Sequence, residues 1–188
     1  MQNKHRCAWC EKDDLYRDYH DNEWGKPVYD DQLLFEFLIL ETFQAGLSWY
    51  TILIRTEGYA KAFDQWDAER IARYGKKDID RLMADPGIIR NRQKVESAIK
   101  NAQAYLHIME GGKGSFDRFL WKHVDHKPIV NRWKSTDRLP ASTSISDALS
   151  KDLKKAGFSF VGTTIVYAFM QAVGMVDDHM VTCWRRTK

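Results

Sequence analysis

The sequence predicts an all-α protein, and three observations carry that reading. Asp31 to Ala45 (DQLLFEFLILETFQA) is apolar on nearly every side, as a central buried helix is. Val95, Ile99, Ala102 and Leu106 recur at the spacing of a helical stripe. No stretch of alternating β-branched residues marks a half-buried strand.

The elements follow in order. Gly46 ends the central helix, and Ser48 is expected to cap a second, WYTILIRTEGYAKAF, interrupted at Gly58. Asp67 caps a short helix that holds Ile71, and Asp78 caps IDRLMA. Asp85-Pro86-Gly87 reads as a tight turn, with a long helix expected from Ile88 onward. Ser115 caps FDRFLWKHV, and the polar stretch from Lys134 to Ser144, with Pro140, is a loop. Ser146 caps DALSKDLKKA, which sets Leu149, Leu153 and Ala156 on one face. After Gly157, TTIVYAFMQAVG places Ile165, Phe169 and Val173 together and stops at Gly174.

A chain of 188 residues fits one compact unit, 1–188, or two small helical lobes sharing a core. Hydrophobic residues at 44 % and charged residues at 29 % exclude a disordered chain. The net charge of +3 permits a nucleic-acid partner without demanding one. The greasiest run, Leu33 to Leu40, contains Glu36 and is far shorter than the roughly twenty apolar residues of a membrane span. Met1 to Asp14 lacks the apolar core of a secretory leader, and three cysteines make no disulfide framework. A cytoplasmic protein is expected, with no membrane association.

Both ends carry metal-ligand residue types. Cys7 and His20 lie near the N-terminus, His179 and Cys183 near the C-terminus. Residues four apart on a helix share a face, so His179 and Cys183 could aim at one point. Two thiolates and two imidazoles make a tetrahedral zinc set that leaves no open position for chemistry. Cys10 competes with Cys7, because Cys7-Ala8-Trp9-Cys10 is itself a C-x-x-C pair. Isolated buried thiols and ordinary histidines are the plain alternative. His5, His107, His123 and His126 suggest surface positions.

The segment Leu82 to Arg90 reads as helix, Gly-containing hairpin, helix. Amides unpartnered at the start of a helix can grip a phosphate, and Arg90, Arg92 and Lys94, with Lys100 farther along, add charge. An ordinary αα-hairpin fits the same residues. Near the end of the central helix, Glu41 falls about 20° around the axis from Leu34 and about 40° from Phe37. Glu36, between Leu33 and Leu40, is equally shielded by that criterion. The aromatic residues Trp9, Tyr16, Tyr19, Trp24 and Trp49 favour Glu41, since a carboxylate in an aromatic box suits a flat cation. Aromatic core filling with Glu41 at an exposed helix end is the alternative.

The series as a whole resembles the family of 3-methyladenine DNA glycosylases I, within the helix-hairpin-helix glycosylase superfamily. The matching pieces are Arg6-Cys7-Ala8-Trp9, Asp14-Leu15-Tyr16, Tyr19 to Gly25, and Leu40-Glu41 with Gln44 to Trp49. They continue with Gly87-Ile88-Ile89-Arg90, Phe160 to Thr164, and Asp178-His179 with Cys183, spanning almost the whole chain.

The resemblance implies a helix-hairpin-helix fold, with that element at about 78–105, and one structural Zn2+ per chain on Cys7, His20, His179 and Cys183 joining 7–20 to 179–183. It makes Glu41 the catalytic residue and Trp9, Tyr16, Tyr19, Trp24 and Trp49 the base pocket. DNA contacts fall on Gly46, Leu47, Gly87, Ile89 and Arg90, with Leu47 as an apolar wedge. Cys10 departs from the family pattern, and Phe43 stands where some relatives carry polar or small residues. The superfamily's assisting Asp is absent, and neither Asp117 nor Asp125 replaces it. The implied substrate is duplex DNA containing 3-methyladenine, cleaved by a monomer with no obligate protein partner.

Overall fold

The computed structural model describes residues 4–187; the remaining ends of the expected 1–188 unit lie outside the described residues. Ten α-helices dominate: α1 Asp14–Asn22, α2 Asp31–Gln44, α3 Trp49–Leu53, α4 Thr56–Ala62, α5 Ala68–Ile71, α6 Lys76–Ala84, α7 Arg92–Met109, α8 Ser115–Trp121, α9 Ser144–Lys155 and α10 Thr163–Ala172. Two-residue strands, β1 Ile129–Val130 and β2 Val176–Asp177, pair in parallel. They were not expected, because two residues cannot show an alternation. No described helix is long and apolar enough to cross a membrane.

Helix α2 is central as expected, with Leu34, Phe35, Leu38, Ile39 and Phe43 all fully buried. Burying each such side chain contributes roughly 1.5–3 kcal/mol, which outweighs the few tenths lost to residues of middling helix propensity. Helices α7, α8 and α10 pack around it. A smaller buried cluster joins Cys7, Tyr19 and Trp24 to Ala172, Met180 and Cys183, so the two terminal segments close on each other.

Several boundaries differ from expectation, most of them because a different group satisfies the first amides. Asn91 caps α7 through Lys94 N (3.2 Å), so 88–91 stay extended and the helix begins at Arg92. Gly75, not Asp78, precedes α6, and the Asp78 carboxylate reaches back to its amide (3.0 Å). Thr143 caps α9, with Ser146 as its reciprocal partner. Gly114 precedes α8, and the amides of Gly114 and Asp117 donate to Asp31 from the start of α2 (2.6 and 2.8 Å). Helix α8 stops at Trp121 and continues as a single 3-10 turn, Lys122–Val124. Ile54 and Arg55, rather than Gly58, divide the second predicted helix.

Gly58 lies inside α4 for a packing reason. A Cβ there would sit 2.5 Å from the Gly87 carbonyl oxygen, so the helix and the hairpin meet backbone to backbone. Gly58→Ala is expected to destabilise the protein by about 1–3 kcal/mol, because neither backbone can yield as a side chain would. Chemical denaturation checks this; an unchanged midpoint would show that the contact relaxes freely.

Candidate functional site

Helix α1 is held by Asp13, whose side chain accepts Tyr16 N (2.9 Å) and also receives the Tyr50 hydroxyl from α3. This fastening sets the α1 aromatics against α3. Trp9 and Tyr16 lie 4.8 Å apart between ring centroids, Trp9 and Trp24 5.0 Å edge-on, and Tyr19 and Trp49 5.3 Å. All five predicted rings line one cavity of about 180 Å³, and Glu41 lines it with them. Pockets for drug-sized ligands run from about 300 Å³ upward, so this one is scaled to a single flat group.

Glu41 is 2 % exposed, and its Oε2 has no hydrogen-bond partner. Burial raises its pKa well above the usual carboxylate range. Burial therefore works against the charged form of this carboxyl, and no partner on Oε2 offsets that cost. Glu36 is only half-buried, which resolves the ambiguity between the two carboxylates.

Two more buried polar atoms at the cavity are unpartnered, Gln44 Oε1 and Trp49 Nε1. Buried polar atoms are ordinarily paired, so three orphans around one aromatic cavity mark a place for a polar, flat ligand. Gln44, Leu139, Ala168 and Gln171 complete the lining and were not singled out from the sequence. Gln44 stands one helical turn after Glu41, which was the available signal. Gln171 is steered by Asp178, whose Oδ2 accepts Gln171 Nε2 (2.8 Å) and the Tyr167 hydroxyl (2.7 Å). Asp178 Oδ1 accepts Asn131 Nδ2 and Trp133 Nε1, both at 2.7 Å. With Nε2 committed, Gln171 has its carbonyl oxygen to offer the cavity.

Behind the rings, the ligand atoms of Cys7, His20 and Cys183 lie within 4.8 Å of one another, all buried. His179 stands beside them, its ring 5.0 Å from that of His20. Its Nε2 is buried without a partner. Both imidazoles are anchored at Nδ1, His20 by Asp21 and His179 by Asp177, each at 2.8 Å. Against the upward push of burial, Arg6 and then His20 hold Asp21 down at about 2. Asp177 is likewise brought to about 2, first by His179 and then by Thr187. Anionic carboxylates on Nδ1–H leave each Nε2 lone pair available, the arrangement typical of metal-bound histidines.

This donor set fits zinc. The C-terminal pair does not lie on the helix that the spacing allowed; Asp178 separates His179 from β2, and Cys183 follows the turn at Val181 and Thr182. Cys10 Sγ instead donates to the Cys7 carbonyl (3.1 Å) and stands outside the group. The two imidazole rings also brace the cavity, with Trp24 4.6 Å from His179 and Trp9 5.3 Å from His20. Of the four histidines expected at the surface, His123 is mostly covered, its side chain 11 % exposed.

The hairpin between α6 and α7 forms, but two of its amides are occupied. Gly87 N donates to Asp85 Oδ1 (2.7 Å) and Ile89 N to the Tyr59 hydroxyl (3.1 Å). Neither belongs to the first turn of α7, which begins later. Arg90 and Arg92 are exposed, whereas Lys94 is not the phosphate contact its charge suggested. Its Nζ donates to the carbonyls of Phe43 (2.8 Å) and Ala45 (2.6 Å) at the end of α2. Gly46 takes φ +76°, and a Cβ there would meet open space. Leu47 follows it, 40 % exposed despite being apolar.

The methyladenine glycosylase family model matches residues 9–186. A DNA-3-methyladenine glycosylase 1 of Escherichia coli (strain K12) is 51 % identical over 178 residues, 95 % of each chain. A crystal structure of a 3-methyladenine DNA glycosylase I superposes with TM-score 0.95 at 49 % identity, covering 97 % of this chain and all of the other. The Staphylococcus aureus 3-methyladenine DNA glycosylase I, a structure describing 3-methyladenine recognition, gives TM-score 0.92 at 41 % identity, covering 97 % of each chain.

Proposed function

The chain belongs to the methyladenine glycosylase family, and from that membership we propose that it hydrolyses the N-glycosidic bond of 3-methyladenine in alkylated duplex DNA. The free base leaves, and an abasic deoxyribose remains in an unbroken strand. The observation that carries this reading is Glu41, a buried carboxyl with an unpartnered oxygen in an aromatic cavity scaled to one base.

The chemistry follows from charge. A purine methylated at N3 is cationic, and its glycosidic bond is already weak. The enzyme must first flip the nucleotide out of the duplex, at a cost of a few kcal/mol. Trp9, Tyr16, Tyr19, Trp24 and Trp49 then enclose the base, and its positive charge offsets the cost of ionising Glu41. The C1′–N9 bond breaks with its electron pair moving to the purine, which departs neutral. Water adds at C1′ and releases a proton to solvent. A normal adenine brings no charge to the pocket to offset the ionisation of Glu41, and its glycosidic bond is not weakened in advance. No lysine forms a Schiff base, so the strand stays intact.

On the same reading, Leu47 enters the gap left by the flipped nucleotide, beside Gly46 where the backbone comes close. The hairpin of the helix-hairpin-helix element lies on the DNA backbone. A phosphate reaching the Gly87 amide displaces the Asp85 carboxylate, one anion for another, and Arg90 pairs with a neighbouring phosphate. Arg90→Ala is expected to weaken duplex binding and lower its salt slope by about one. Affinity measured across a salt series checks this, and equal slopes would remove Arg90 from the interface.

Cys7, His20, His179 and Cys183 hold one zinc ion on this reading. With four protein ligands, the metal supplies folding energy and takes no part in bond cleavage. The enzyme acts as a cytoplasmic monomer. The deciding experiment incubates the purified protein with methylated duplex DNA and identifies the released bases by mass. Release of 3-methyladenine with uncut strands is the expected result; DNA binding with no base released would make the protein a binding module.

A further inference from the structure

Lys94 is 5 % exposed, yet it carries a charge on the helix that follows the hairpin. Its ammonium is committed to two backbone carbonyls, Phe43 O and Ala45 O, about fifty positions earlier in the chain. The last carbonyls of a helix have no intrahelical partner, and the negative end of α2 favours a cation there. Burial lowers the pKa of Lys94, and no neighbouring carboxylate offsets that effect.

What the ammonium grips is the junction between two functional parts. Immediately before it come Glu41 and Gln44, which line the cavity. Immediately after it come Gly46, in the left-handed region, and exposed Leu47, whose amide donates back to Gln44 O (2.6 Å). On the other side, Lys94 receives its own position from Asn91, the cap that ends the hairpin. One side chain therefore ties the hairpin's helix to the base pocket and to the Leu47 turn.

We propose that Lys94 is a positioning residue, which fixes the Gly46-Leu47 turn relative to the hairpin so that seating on the duplex and insertion of Leu47 occur together. This rests on the glycosylase reading and goes beyond it by assigning the element that couples backbone contact to base extrusion. Free 3-methyladenine needs the cavity alone, and a methylated duplex needs cavity, turn and hairpin in register.

The test is a double-mutant cycle of Lys94→Met and Leu47→Ala. Single-turnover release from a methylated duplex is expected to fall about ten-fold or more in Lys94→Met, with free 3-methyladenine binding within about two-fold of wild type. Leu47→Ala should add little in the Lys94→Met background, because the turn is already loose. Unchanged release, or losses that simply multiply, would overturn the proposal. So would a parallel fall in free-base binding, which would make Lys94 a general support of the fold. Lys94→Gln keeps one hydrogen bond and should fall between the two, and it carries the cycle if Lys94→Met does not fold. If the wild type releases no methylated base, the glycosylase reading fails instead. Hydrogen exchange at the Leu47 amide then reads the tie directly: about ten-fold faster exchange in Lys94→Met is expected, and equal exchange overturns it.

Discussion

Glu41→Gln is expected to slow release of 3-methyladenine by about ten- to hundred-fold while making the protein more stable at neutral pH. The first effect follows from the loss of a charge-assisted hydrogen bond, roughly 1.5–3 kcal/mol. The second follows from proton linkage. Burial raises the Glu41 pKa in the folded state well above 4.5, its ordinary value in an unfolded chain. A raised folded pKa means the stability contribution is full below the unfolded value and is lost as pH rises through the folded value. Glutamine does not titrate, so its advantage over Glu41 should be near zero at about pH 4 and grow with pH. Paired thermal melts across pH check this, because acid effects on the rest of the molecule cancel in the difference. An advantage that is constant or shrinks with pH would contradict a pKa raised by burial. Titration with free 3-methyladenine separates the two roles open to Glu41. Loss of binding and release together marks recognition; loss of release alone marks a general base acting on water.

Removal of the metal ligands should have the larger effect on the fold. Purified protein is expected to contain one zinc per chain, and Cys183→Ala to lose it. His20 and Cys183 are 163 positions apart, so a bond network through them closes nearly the whole chain. Cross-links of that kind contribute on the order of several kcal/mol, and each kcal/mol is worth about 2–4 °C in a chain of this size. A fall in Tm of about 10 °C is the expected result. Cys10→Ala should keep its zinc. Metal content near zero in protein prepared without chelator would end the assignment, and the reverse pattern between Cys7→Ala and Cys10→Ala would move the ligand to Cys10.

The long helices α2, α7 and α10 were legible because their burial imposes a period on the sequence. The aromatic box was legible in part: five large rings suit a pocket around Glu41 or core filling alike, and it is the resemblance that separated the two. Caps were read less well. Thr143 and Ser146 bond each other reciprocally, so either looks like a cap, and only the backbone angles distinguish them. The Asp31 carboxylate that serves α8 lies 83 positions from Gly114, beyond any local pattern. Lys94 was misread because its partners are carbonyl oxygens, which leave no mark in a sequence, and a lysine beside two arginines looks like part of a basic surface. Gln44 stands in the motif that carries the resemblance, but nothing local to a glutamine at a helix end marks it as lining a cavity. The clustering of Cys7, His20 and Cys183 was legible in residue types, but the placement of the C-terminal residues came from the segment after β2, where helical spacing had no bearing.

Asp178 shows that similarity of shape can mislead about which substitutions a position accepts. Four donors, from Asn131, Trp133, Tyr167 and Gln171, converge on its two oxygens. A carboxylate has about four lone-pair sites, so every acceptor position is used. Asparagine, the nearest match in size, would turn one oxygen into an NH2 and set it against two existing donors. An apolar residue would leave the donors unpaired without opposing them. At this position the mildest-looking exchange is among the most disruptive, and a comparison of relatives scored by side-chain resemblance would rank it the wrong way round.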